Sequence, residues 1–225
     1  MSDLGKRAAG RQAADFVSDN ITLGLGTGST VYFTLERLSE RIRDEGLRVR
    51  GVPTSIDTER KSREFGIPLA TLEEVEHIDL TIDGADEIDA KMHLVKGGGG
   101  ALLREKVVAS ITRRQVIIAT HDKVVDKLGK KFPLPIEIVP FARGVVERAV
   151  VHHGAHPNLR MREGKPYVTD NGNWILDCTF AHGIPDPASM ELALDRIPGV
   201  VESGLFIGLA HVLVLGLPDG TTRVS

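Results

Sequence analysis

Between residues 21 and 120 the chain alternates short apolar-rich runs, several of them uniformly apolar, with longer segments whose apolar positions recur at helical spacing. ITLGL at 21–25, LRVRGV at 47–52, HIDLTID at 77–83, LVK at 94–96 and RRQVIIAT at 113–120 read as strands. VYFTLERLSERI, a polar stretch near 57–65 and ALLREKVVASI read as helices. An N-terminal helix precedes them, with Leu4, Ala8, Ala9, Ala13, Phe16 and Val17 at helical intervals. Strands apolar on both faces that alternate with helices predict a parallel sheet covered on both sides. Ligands of such sheets bind at the loops leaving the carboxyl ends of the strands. Here those loops are GTGST at 26–30, TSID at 54–57 and DGADE at 83–87.

After about residue 130 the pattern changes. KFPLPIEIVPF is a Pro-punctuated strand, ARGVVERAVVHHG a helix and NLRMRE a strand. YVTDNGNWILDCTF reads as a hairpin turning at Asn171 and Gly172, PDPASMELALDRI as a helix and VVESGLF as a strand. In order this is β-α-β-β-α-β, the split ferredoxin-like pattern. The final apolar stretch, HVLVLGLPDGTTRVS, is expected to return to the first sheet. The expectation is therefore an α/β fold. Residues 1–130 and 207–225 form a Rossmann-like parallel sheet with helices on both faces, and 131–206 a smaller ferredoxin-like α+β domain.

With 41% hydrophobic and 26% charged residues and a formal net charge of −3, the 225-residue chain has the make-up of a soluble globular protein. It lacks the basic runs and aromatic platforms that nucleic acid or a membrane surface would require. No apolar run approaches the roughly 20 residues needed to span a bilayer. The single Cys178 excludes an internal disulfide and suits a reducing cytosol, and the amphipathic N-terminus is unlike a signal peptide, so the expected location is the cytoplasm.

Glycines at 24, 26 and 28 are followed by hydroxyls at Ser29 and Thr30 just as a helix begins, with Thr27 between. Backbone N–H groups at a helix N-terminus form an anion site, and hydroxyls add donors suited to a phosphate monoester. A tight turn with an N-cap uses the same residue types. A dinucleotide fingerprint would need glycine at position 29, and a P-loop would need a lysine before the hydroxyls.

The stretch DGADEIDAKMHLVKGGGGALLREK at 83–106 concentrates charge at a strand's carboxyl end. Asp83 and Asp86 lie on a turn, Lys96 leaves a short strand, and Glu105 enters the helix after four glycines. The glycine run implies a close approach of backbone to a ligand. Two other readings stand beside this one. Asp83, Asp86, Glu87 and Asp89 have the composition of a Mg²⁺ site, and Glu105 has the spacing of an exposed glutamate paired with Arg104 or Lys106. Taken together, a phosphate cradle, a carboxylate base with a raised pKa, a lysine and two further carboxylates fit proton transfer beside a carbonyl in a sugar phosphate. Such chemistry requires no redox cofactor and no metal.

GLGTGSTV at 24–31, DGADEID at 83–89, KGGGGALLREK at 96–106 and GKKFPLPIEIVP at 129–140 resemble type A ribose-5-phosphate isomerase. TDNGNWILD at 169–177 and IPGVVESGLF at 197–206 extend the resemblance over nearly the whole chain. It implies reversible conversion of D-ribose 5-phosphate to D-ribulose 5-phosphate in the non-oxidative pentose phosphate branch, without a cofactor, by a homodimer or homotetramer. By the same resemblance Glu105 is the proton acceptor and Lys96 stabilises the enediolate oxygen. Asp83 and Asp86 bind sugar hydroxyls, and one assists ring opening. Thr27, Gly28, Ser29 and Thr30 bind the phosphate end, Gly84, Ala85, Gly97, Gly98 and Gly99 line the pocket, and Lys123 binds substrate. Lys6 is a further candidate phosphate neighbour. Gly100 departs from the alanine expected in many relatives. The histidines at 152, 153 and 156 sit where a helix ends, where the dipole favours them without any metal. Cys178 reads as a packed small hydrophobe.

Overall fold

The computed structural model describes residues 3–225. In chain order its elements are α1 (Asp3–Ala14), β1 (Ile21–Leu25), α2 (Val31–Glu45), β2 (Val49–Pro53), α3 (Ile56–Glu64), β3 (Ile78–Gly84), β4 (Glu87–Ile88) and β5 (Leu94–Val95). Next come α4 (Leu102–Ser110), β6 (Thr112–Thr120), β7 (Leu134–Ile138), α5 (Arg143–His152), β8 (His156–Leu159), β9 (Met161–Arg162) and β10 (Lys165–Pro166). The series closes with β11 (Trp174–Thr179), α6 (Pro187–Leu194), β12 (Val200–Ser203), β13 (Leu205–Phe206), β14 (Val212–Gly216) and β15 (Thr222–Val224). The chain divides into two compact units. One comprises the chain up to Ala85 with Arg104–Lys123 and Leu209–Ser225, the other Asp86–Leu103 and Val124–Gly208.

The first unit holds a six-stranded sheet of order β15-β14-β6-β3-β1-β2, parallel throughout except for the antiparallel edge strand β15. β1 and β3 are buried along almost their whole length, which is why they read as continuous apolar runs. Leu23, Leu25, Leu80, Ile82, Val116, Ile118 and Val214 pack with Ala9 and Ala13 of α1 and Leu35 and Leu38 of α2. A separate cluster of Val52, Ala70, Ile78 and Val108 joins α4 to the sheet. The carboxyl ends of β1, β2, β3 and β6 therefore lie along one edge, and α2 begins at the end of β1. The final stretch joins the sheet as β14, with Val116 of β6 opposite Val212.

The second unit is built on a four-stranded antiparallel sheet of order β12-β7-β11-β8, the order 4-1-3-2 of a ferredoxin-like β-α-β-β-α-β chain. Leu134, Ile136 and Ile138 of β7 share a core with Val146 and Val150 of α5 and Leu194 of α6. Two expected strands are interrupted. The run at 158–163 divides into β8 and β9 around Arg160, and 200–206 divides into β12 and β13 at Gly204. β13 then pairs with β5, which is how residues 86–103 come to belong to this unit. The expected hairpin at 167–180 has only its second arm as a strand. Its turn is present, closed by Thr169 N–H to Asn173 O at 2.9 Å, with Gly172 at φ 82°. The first arm is used differently: Thr169, Asn171 and Asn173 donate side-chain hydrogen bonds at 2.9, 3.2 and 2.9 Å to the fully buried carboxylate of Glu137. Among the described residues no helix is long and apolar enough to cross a membrane.

Candidate active site

In the first unit the loop after β1 is held from below and open above. Gly26 N–H donates to Ile82 O at 3.0 Å and Thr27 N–H to Asp83 Oδ1 at 3.1 Å, which ties the loop to the end of β3. The Thr27 hydroxyl lies 2.9 Å from Thr54 Oγ1, 2.8 Å from Ser55 Oγ and 3.2 Å from Thr58 Oγ1. Thr58 in turn donates to Gly26 O at 2.8 Å. With three hydroxyl neighbours and its N–H on Asp83, Thr27 anchors the loop to the scaffold through both side chain and main chain. Gly28, at φ 121°, and Ser29 are exposed, and Thr30, the N-cap of α2, makes no side-chain capping bond. Tyr32 N–H turns back to Gly28 O and Phe33 N–H to Thr30 O, both at 3.2 Å, so Gly28–Val31 is the stretch that can offer N–H groups to an anion.

Asp83, 1% exposed at the end of β3, accepts from Thr27 N–H and from Gly84 N–H at 2.7 Å. A Cβ at Gly26 would overlap its carboxylate and its Cα, so glycine at 26 is what lets the two chains meet there. Glu105, 5% exposed, occupies the first turn of α4, where the helix dipole favours its negative charge. This overturns the reading of Glu105 as an exposed surface glutamate. Lys123 ends the short 3₁₀ turn His121–Lys123 that follows β6, half-buried. Gly84 and Ala85 continue from β3 and are half-buried.

In the second unit Asp86 Oδ2 accepts from Gly98 N–H at 2.7 Å, and a Cβ at Gly98 would collide with that carboxylate and with the Phe132 ring. Lys96 is 2% exposed, with its Nζ 5.3 Å from the centre of the Phe206 ring and its N–H on Gly204 O at 2.8 Å. A buried ammonium over an aromatic face is retained in proteins when a negative partner or ligand repays its desolvation. Gly97 and Gly100 have φ of 104° and 83°, and Tyr167 donates to Gly99 O at 3.3 Å. Burial raises the Tyr167 pKa, which keeps that hydroxyl protonated.

The acidic turn does not assemble as a metal site. Glu87, 1% exposed, accepts main-chain N–H bonds from Gly129, Lys131 and Phe132 at 2.5, 2.7 and 2.9 Å. Asp89 accepts from Lys91 and His93 N–H, both at 2.9 Å. Among the described residues no group of three or more His, Cys, Asp or Glu side chains is placed to hold a metal ion. Sequence patterns missed the hydroxyl cluster of Thr54, Ser55 and Thr58, although TSID stood among the strand-end loops. They also missed Glu87 as a loop anchor and the contacts of Arg160 and Tyr167 with the glycine run, which only distant pairing reveals.

A parallel α/β sheet with a glycine-rich loop and a buried aspartate at the carboxyl ends of its strands, and a buried glutamate in the first turn of α4, has the parts that an enzyme of acid–base chemistry uses. The family model described as Ribose 5-phosphate isomerase A (phosphoriboisomerase A) matches residues 50–220. Ribose-5-phosphate isomerase A of Bacillus mycoides is 48% identical over 215 residues, covering 96% of each chain. Ribose 5-phosphate isomerase from Plasmodium falciparum superposes with a TM-score of 0.95 at 39% identity, covering 100% of this chain and 98% of that one. A D-ribose-5-phosphate isomerase solved in complex with phospho-erythronic acid gives 0.96 at 35% identity, covering 100% and 99%. The chain belongs to the ribose 5-phosphate isomerase A family.

Proposed function

We propose that the protein interconverts D-ribose 5-phosphate and D-ribulose 5-phosphate through an enediolate, in the non-oxidative pentose phosphate pathway. Membership of the family over the full chain carries this reading, and the relative solved with a phosphorylated sugar acid supports a sugar phosphate as the ligand. Glu105 takes the C2 proton of the open-chain aldose and returns it to C1. The hydroxyl proton on O2 passes to O1, so the isomerisation is balanced without an external acceptor. Lys96 offsets the negative charge that develops on the enediolate oxygens, a contribution of about 10²–10³ in rate for one well-placed group. Asp83 and Asp86 hold sugar hydroxyls, and one assists ring opening. Main-chain N–H groups of Gly28–Thr30 with the Ser29 and Thr30 hydroxyls take the phosphate on a loop that Thr27 anchors, while Gly84, Ala85, Gly97, Gly98, Gly99 and Lys123 complete substrate binding. The reaction uses no metal or cofactor. The protein works in the cytoplasm as a homodimer or homotetramer, a state that the almost fully exposed Phe141 beside Val139 on the second unit supports.

The test is conversion of ribose 5-phosphate to the ketose, with EDTA present, by the native protein and by Glu105→Gln. The native protein is expected to be active and the folded variant at least about 10²-fold slower. Absence of native activity overturns the function, and an unimpaired variant moves the base to another carboxylate.

A further inference from the structure

The glycine run at 97–100 is gripped on one side. Arg160, between β8 and β9, has a side chain only 14% exposed and donates from Nε and Nη2 to Asp177 of β11 at 2.9 and 2.5 Å. This two-pronged pair fixes the guanidinium plane. Its remaining nitrogen, Nη1, donates to Gly97 O at 2.9 Å and Gly98 O at 3.3 Å. The Tyr167 ring lies 5.7 Å from the guanidinium carbon, and its hydroxyl donates to the next carbonyl, Gly99 O. Three successive carbonyls are thus held by one arginine–tyrosine pair.

A trans peptide is planar, so a carbonyl held on one side sends the following N–H to the other. The Gly98 N–H obeys this and reaches Asp86 Oδ2 at 2.7 Å. The Gly100 N–H closes a turn onto Gly97 O at 3.0 Å. Between them lies the Gly99 N–H, on the far side of a peptide whose carbonyl carries Arg160. The cation also polarises that peptide and strengthens its donor. Position 100 fits the same picture, because a Cβ there would overlap the Tyr167 ring.

We propose that Arg160, fixed by Asp177 and assisted by Tyr167, is a positioning residue that sets the Gly97–Gly99 peptide planes so that Gly98 N–H holds Asp86 and Gly99 N–H faces the sugar phosphate. The proposal rests on the isomerase reading for its ligand but not for its geometry.

Arg160→Met and Arg160→Lys are compared with the native enzyme and with Arg143→Met, which alters an exposed arginine paired with Glu147 on α5. Four quantities are read: kcat and KM for ribose 5-phosphate, the pH–rate profile, amide exchange at 97–100 without ligand, and Tm. Arg160→Met is expected to lower kcat about 10- to 100-fold, the scale of a small misplacement of reacting groups. KM and the shape of the pH profile stay close to native, and exchange at Gly98 and Gly99 accelerates. Arg160→Lys keeps the charge without the fork and recovers less than tenfold of the loss. Native kcat in Arg160→Met with only a lowered Tm would reduce Arg160 to a structural tie, and full recovery by lysine would overturn the plane-setting role. If Arg160→Met fails to fold, Tyr167→Phe removes the grip on Gly99 O alone. It is expected to lower kcat several-fold, and a native kcat there also refutes the proposal. Should the native protein leave ribose 5-phosphate unchanged, the isomerase reading falls while the exchange data still decide the clamp.

Discussion

Replacing Glu87 should unfold the second unit before it disturbs anything else. Its carboxylate is buried and takes three main-chain N–H bonds from the 129–132 loop. A hydrogen bond to a charged group is worth about 1.5–3 kcal/mol, and a buried donor left without an acceptor costs about 1–3 kcal/mol. Gly129 is buried, Phe132 half-buried and Lys131 exposed, so water can reach the Lys131 N–H but not that of Gly129. Glu87→Ala is therefore expected to cost about 3–5 kcal/mol, short of the full sum for three charged bonds. Glu87→Gln keeps Oε1 for Lys131 and Phe132 but sets an amide donor against Gly129 N–H, costing about 2–3 kcal/mol. The assay is urea unfolding followed by fluorescence of Trp174, the one tryptophan, which lies in the same unit as Glu87. Because two units need not unfold together, the tryptophan transition is compared with far-UV circular dichroism. An alanine variant within about 0.5 kcal/mol of native, or a glutamine variant less stable than alanine, would refute the reasoning.

Three further outcomes separate other parts of the fold. Gly26→Ala drives a methyl into Asp83 and should lose about 1–3 kcal/mol of stability and most activity. Gly28→Ala has open space and only a strained φ to bear, so it should lose about 1–2 kcal/mol and keep more turnover; equal kinetics for the pair would count against the contact with Asp83. Thr58→Val removes the bond to Gly26 O and one neighbour of the Thr27 hydroxyl. KM should rise several-fold, kcat should change little, and denaturation should show a loss of about 1–2 kcal/mol. Burial pushes the Cys178 thiol from its ordinary 9.0 up to about 12. The unfolded chain ionises first, so stability is full below pH 9 and declines toward pH 12 by about 1.4 kcal/mol per pH unit. Native protein should resist alkylation at pH 8, and Cys178→Ala should show a flatter stability profile above pH 9.

Much of the first sheet was legible because burial on both faces leaves strands such as Leu23–Leu25 and Leu80–Ile82 few polar positions. The carboxyl-end rule then placed Gly26–Thr30 on a strand-end loop, whereas Asp83, expected on a turn, is still paired within the last residues of β3. Less legible was anything fixed by pairing across long separations. Nothing local in VTDNGN announces that Thr169, Asn171 and Asn173 will surround Glu137 instead of forming a strand. Glu87 looked like its acidic neighbours in DGADEID, yet its length and burial send it to main-chain donors more than forty residues away. Arg160 sits in a run of alternating basic residues, and only Asp177 and the glycine carbonyls distinguish it from Arg162. Apolar periodicity reports which face is buried, and is silent about which polar side chain finds which backbone group.

The place of β14 in the first sheet bears on how the protein is made. Val116 of β6 finds Val212 as its neighbour, and the chain between them includes the whole of β7 through β13. At a synthesis rate of about 5–20 residues per second, the outer edge of β6 waits on the order of 5–20 s on the ribosome before its partner emerges. Val116–Ala119 is apolar, and an unpaired strand of that kind is a template for association with another nascent chain. The antiparallel sheet of the second unit, by contrast, is complete once Ser203 has been made. Slowing translation should therefore increase aggregation of the nascent chain, and a chaperone that shields exposed strand edges should relieve it.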